Sequence, residues 1–131
     1  MSLFHLIFGI LIFIVFLVTG KFMRVDFPDK EIIPQDLRIL MRSRHIYILF
    51  SALFHLLLGA VFQFDKQLWQ NFLQVTGSVL LTLSSILFVW AFIDESYYTH
   101  HFSEISRWGI YLSLAGVLFH VVGNMRLKAK N

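Results

Sequence analysis

The 131-residue chain contains no cysteine, only two prolines and seven glycines, and its charged residues make up just 15%. Without cysteine, disulfides, thiolate catalysis and cysteine-ligated zinc or iron–sulfur clusters are excluded. No H-E-x-x-H and no glycine-rich phosphate loop occurs, and no nucleophile–base pairing stands out from spacing. The eight carboxylates avoid the long apolar runs entirely. That argues against proton-coupled exchange through an acid embedded in hydrocarbon.

What fills the chain instead is hydrocarbon: 57% hydrophobic residues, fifteen of them phenylalanine. Soluble domains carry about 45–50% apolar and about 25% charged residues. Spanning ~30 Å of hydrocarbon takes roughly 20 apolar residues in a helix, and four blocks of that order are present, near 3–20, 45–64, 72–93 and 105–123. They are continuous rather than alternating, which predicts helices and not strands. The expectation is one all-α domain over 1–131, an integral membrane protein with four transmembrane helices in an up-down bundle. The first block has no basic region before it and no small-residue cleavage pattern, so it reads as an uncleaved span.

The net charge of +3 comes mostly from basic residues flanking the blocks, which fits topology better than nucleic-acid binding. Lys21, Arg24, Lys30, Arg38, Arg42 and Arg44 occupy the 21–44 segment, and Arg107 precedes block four. Lys66, Arg126, Lys128 and Lys130 fall on the other side. Seven against four places 21–44 in the cytoplasm and both termini outside, in a bacterial-type inner membrane. Within that segment, "PQDLRILMRSRH" has Pro34 at a helix start and Leu37, Leu40 and Met41 on one face. It predicts an amphipathic lead-in continuing into span two, with Arg38, Arg42 and Arg44 at the headgroups of membrane lipid.

Each block also carries a stripe at spacings of 3 and 4, which keeps its members on one side of a helix. Span two has Ser51, His55 and Gly59; span three has Asn71, Gln74, Ser78, Thr82 and Ser85. Span four has Gly109, Ser113, Gly116, His120 and Gly123, and span one has His5, Gly9, Phe13, Phe16 and Gly20. Membrane helices associate through small residues and interhelical hydrogen bonds, so these stripes are the faces expected to meet. Counting ~1.5 Å per residue from the cytoplasmic ends puts His5, Ser78 and His120 at one level, with His55 roughly 6 Å nearer the cytoplasm.

Three readings follow for the intramembrane histidines His5, His55 and His120. Each is a neutral imidazole hydrogen-bonded to a serine or threonine across the bundle, or together they line a proton or ion pathway, or they hold a metal ion or haem. A second cluster of ligand types lies in "DESYYTHHFSE", where Asp94, Glu95, His100, His101 and Glu104 suit zinc, iron or manganese, although a solvated loop explains them as well. The span count and the arginine-rich entry to span two resemble the topology of the membrane-associated eicosanoid and glutathione metabolism family. The positions after the arginines, "HIYILFSALFH", contain neither the asparagine nor the glutamate that family uses for glutathione, so the likeness ends at topology. The functional expectation is a non-enzymatic accessory or assembly subunit, homo-oligomeric or part of a larger complex. A histidine-lined carrier or channel for protons or metal ions is the alternative, and an intramembrane enzyme comes third.

Overall fold

The computed structural model describes residues 2–25, 34–61, 67–98 and 103–125. These form four α-helices: α1 (Ser2–Val25), α2 (Gln35–Val61), α3 (Leu68–Tyr98) and α4 (Glu104–Gly123). All four are long and apolar enough to cross a membrane. Among the described residues there is no strand.

Two helices run well past the apolar blocks that announce them. Helix α2 begins at Gln35, directly after Pro34, whose carbonyl accepts the Arg38 N–H at 3.1 Å. Neither proline nor glycine interrupts it before Gly59, so the amphipathic lead-in and the apolar block form one unbroken helix. Helix α3 likewise continues to Tyr98, which puts Asp94 and Glu95 in its last turns rather than in a loop. Helix α4 starts at an N-cap, Ser103, whose side chain accepts the Ser106 N–H.

The main contacts join α1 to α2, α2 to α3 and α3 to α4. A Cβ at Gly9 would lie 2.8 Å from the Leu56 backbone nitrogen, and one at Gly20 3.2 Å from the His45 ring. On the other pair, a Cβ at Gly77 would lie 2.8 Å from the Gly116 carbonyl oxygen, and Gly109 sits under the Phe88 ring. The close pairs Gly9/Leu56 and Gly77/Gly116 bring backbones nearer than any side-chain-bearing residue permits. Toward the 21–44 end the interior becomes aliphatic and aromatic: Ile12, Ile48, Ala52, Phe88 and Phe92 form the core, flanked by Phe16, Phe22 and Tyr47. Large apolar side chains dominate the outward faces, with Leu17, Leu53, Leu83 and Leu114 all exposed, and exposed charges fall toward the helix ends, as at Lys21, Arg42 and Arg107.

Candidate functional site

One hydrogen-bonded chain takes a side chain from each of the four helices. His5 of α1 places its Nδ1 2.8 Å from Nδ1 of His55 on α2. Its other ring nitrogen, Nε2, lies 2.9 Å from the Ser78 hydroxyl of α3. Ser78 Oγ is also 3.1 Å from Nε2 of His120 on α4. All four residues are buried, His5 completely.

A serine hydroxyl has one proton and two lone pairs. Ser78 Oγ lies 2.9 Å from the Gln74 carbonyl as well as 2.9 Å from the His5 ring and 3.1 Å from the His120 ring, so its one proton serves three partners and the ring tautomers set the rest. In the His5–His55 contact one Nδ1 donates and the other accepts. His55 Nε2 is one of three buried side-chain atoms among the described residues without a hydrogen-bond partner; the other two are Asn71 Oδ1 and Gln74 Oε1.

The roughly 6 Å level difference expected between His55 and His5 is taken up by side-chain reach. Gly9, one turn from His5, packs on the Cβ of His55, and the two rings meet across that turn with centroids 5.0 Å apart. Phe8 and Phe4 wall the pair edge-on, at 4.7 Å from His55 and 5.4 Å from His5. Across described residues 2–12, 52–61, 67–82 and 113–125, histidine is the sole ionisable type. His5 bonds His55 directly and reaches His120 only through Ser78, so the three rings form a line. Among the described residues, no group of three or more His, Asp or Glu is placed to hold a metal ion.

A second, smaller polar contact lies near the 21–44 end. Thr19 donates to the Val15 and Phe16 carbonyls and accepts from His45 Nδ1 at 3.0 Å, while Phe16 stacks on the His45 ring at 4.2 Å. Between the two contacts lie Ile12, Ile48, Ala52 and Phe88. The hydroxyls at that level, Ser51 and Ser85, turn back to the Ile48 and Leu81 carbonyls of their own helices.

The remaining stripe residues divide in the same manner. Ser51, Ser78, Ser85, Ser113 and Gly116 are buried, and Gly59 and Thr82 half-buried. Yet Thr82 and Ser113 bond only to their own helices, so they serve the contacts by being small rather than by hydrogen-bonding across them. The crossings that polarity patterns missed are Ser84 to the Gly109 carbonyl at 2.8 Å and Gln70 to the Met125 carbonyl at 3.0 Å, while the stripe residue Gln74 reaches the Gly123 carbonyl at 3.2 Å. Ser84 and Ser85 are adjacent hydroxyls, and only the true helix rotation tells the bridging one from the other.

The three arginines expected together at the surface separate. Arg42 is exposed and Arg38 half-buried, but Arg44 is 2% exposed. Its position continues the inward row Met41, Arg44, Ile48, Ser51, His55, whose 3–4 spacing turns it into the helix contact. Of the other ligand cluster, His100 and His101 lie outside the described residues. Glu104 forms an ion pair with Arg107 at 2.8 Å, and Asp94 is exposed.

Two grooves reach the histidine chain from the sides. One, about 340 Å³, runs between α2 and α4 and is lined by Phe54, Leu57, Leu58, Leu81 and Val117, with His120 and Asn124 at one end. The other, about 320 Å³, lies between α1 and α3 over Ser78 and Thr82. Compared with protein-family models, curated proteins and solved structures, the chain matches none.

Proposed function

We propose that this chain is an integral membrane protein whose four helices form an up-down bundle, and that it serves as a non-enzymatic accessory or assembly subunit. The observation that carries this reading is the His55–His5–Ser78–His120 chain, which takes one side chain from every helix. Inward polarity is thereby committed to holding the helices in register, and the apolar outer faces are the surface left for a partner. The basic excess around 21–44 supports placing that segment in the cytoplasm of a bacterial-type cell with both termini outside, Arg38 and Arg42 against anionic lipid while Arg44 turns inward. Purification from native membranes in mild detergent tests the subunit role. A stoichiometric partner is expected, and a homogeneous particle of this chain alone would overturn it.

The same chain gives a second reading some support, a histidine-lined carrier for protons. Against it stands the layer of Ile12, Ile48, Ala52 and Phe88, which separates the chain from His45 and interrupts any path along the bundle axis.

A further inference from the structure

We infer that the three tryptophans seat this chain in a bilayer, with Trp69 at one head-group layer and Trp90 and Trp108 at the other. The placement rests on the membrane-spanning reading proposed for its function, and it fixes the depth of the histidine chain. Tryptophan favours that layer because its ring is apolar while its indole N–H still needs an acceptor. All three side chains are exposed, so none is spent on the interior.

Their levels fall into two groups. Trp69 and Trp90 stand twenty-one residues apart on α3, ~31 Å along a helix. That separation matches ~30 Å of hydrocarbon, with or without a helix tilt of ~20°. Trp108 is on α4, where the close contacts Gly77–Gly116 and Phe88–Gly109 count down α4 as they count up α3. They put Trp108 within ~3 Å of the Trp90 level.

Polarity changes at the same levels. Asp94 is exposed one turn beyond Trp90, and Arg107, paired with Glu104, is exposed beside Trp108. The Gly20–His45 and His45–Phe92 contacts bring α1 and α2 to this edge, where Lys21 and Arg42 are exposed. No described Asp, Glu, Lys or Arg lies between the two levels, and every exposed α3 side chain from Phe72 to Ile86 is apolar. At the far edge Trp69 Nε1 donates to Gln67 Oε1 at 2.7 Å, so its N–H turns toward the residue that precedes the helix. Ser78 then lies nine residues from Trp69 and twelve from Trp90, ~13 Å and ~18 Å inside the two layers. The histidine chain is thereby held in hydrocarbon, where no head group or bulk water competes for its hydrogen bonds.

The test reconstitutes the full-length protein in phosphatidylcholine vesicles whose acyl chains carry bromine either near the head group or near the chain end. Tryptophan emission is the readout. Three variants each keep one tryptophan, with phenylalanine in place of the other two. A fourth lacks all three and carries Val79→Trp at the exposed midpoint of α3. Shallow bromine is expected to remove more emission than deep bromine from Trp69, Trp90 and Trp108, and the order is expected to reverse for Val79→Trp. Without any substitution, the thermal-unfolding midpoint should peak in bilayers of ~30 Å hydrocarbon thickness among vesicles of graded acyl length. Stronger quenching of any native tryptophan by deep bromine overturns the placement. So does an absence of quenching confined to Trp90 and Trp108, which would mean that protein covers them, or a peak in markedly thinner or thicker bilayers. Quenching absent even from Val79→Trp would strike the membrane reading itself. Partner co-purification is read separately, so failure of the tryptophan levels alone leaves the membrane reading and the subunit role standing.

Discussion

The two ends of this molecule solve helix association differently. At the end marked by His5, Gly59 and His120, glycines and histidines dominate: Gly9, Gly59, Gly77 and Gly116 draw the backbones together, and the histidine–serine chain closes across the gap. At the 21–44 end the interior is Phe88, Phe92, Phe22 and Tyr47, with polar contact reduced to Thr19–His45 and the inward-turned Arg44. The two devices go with different spacings. Hydrogen bonds of ~2.8 Å across four helices require close backbones, which glycine supplies, whereas aromatic rings hold helices apart and gain by dispersion. A polar chain is also directional, so it fixes rotation and register, which apolar packing alone leaves looser.

The largest expected effect comes from the aromatic end. Phe88 is 2% exposed, fills the hollow over Gly109 and meets the Tyr47 ring at 5.3 Å. Phe88→Ala should cost about 3 kcal/mol through the cavity it leaves, measured by unfolding in mixed micelles. The comparison predicts that the damage stays local. Ring resonances of His5 and His55 should be unchanged, and their loss would mean that the two ends are one cooperative unit.

Next come the histidines. His5→Leu strands His55 Nδ1 and removes a partner from Ser78, and His55→Leu strands His5 Nδ1. Each should cost about 1–3 kcal/mol, the penalty for a buried polar group left unpaired. The double variant should cost less than the sum, because each single change orphans the other ring's Nδ1 and the double change leaves neither behind. Strict additivity would show that the 2.8 Å contact contributes nothing to stability. If the variants instead keep full stability and lose proton flux in proteoliposomes, the carrier reading replaces the subunit one.

Much of this arrangement is legible in the amino-acid sequence alone. Helical period and block length announce four helices, and the 3–4 stripes pick out Ser51, His55, Ser78, His120 and Gly116 as inward. The meeting of His5 with His55 is not legible there, because counting rise along separate helices ignores the several ångströms an imidazole reaches along the axis. Nor is the burial of Arg44, since charge near a helix end reads as surface although its spacing from Ile48 and Ser51 already places it inside. Ser84 shows the remaining limit: on α3 both Ser84 and Ser85 are fully buried, and only which backbone lies opposite makes one of them a bridge.

The smallest effect should come from the polar contact at the aromatic end. Thr19 donates only to its own helix, so what it gives α2 is one acceptor for His45 Nδ1. Thr19→Val keeps the shape and removes that acceptor, and hydrogen bonds between membrane helices average about 0.6 kcal/mol. Phe16 still stacks on the His45 ring, which holds the imidazole in place after the bond is gone. The expected loss in the micelle assay is therefore well below that of either histidine variant, with the Phe16–His45 contact preserved in nuclear Overhauser data. A loss above the ~1.7 kcal/mol ceiling for such bonds would mean that Thr19–His45 is the anchor of this end and the aromatic rings its filling, reversing the division drawn between the two halves.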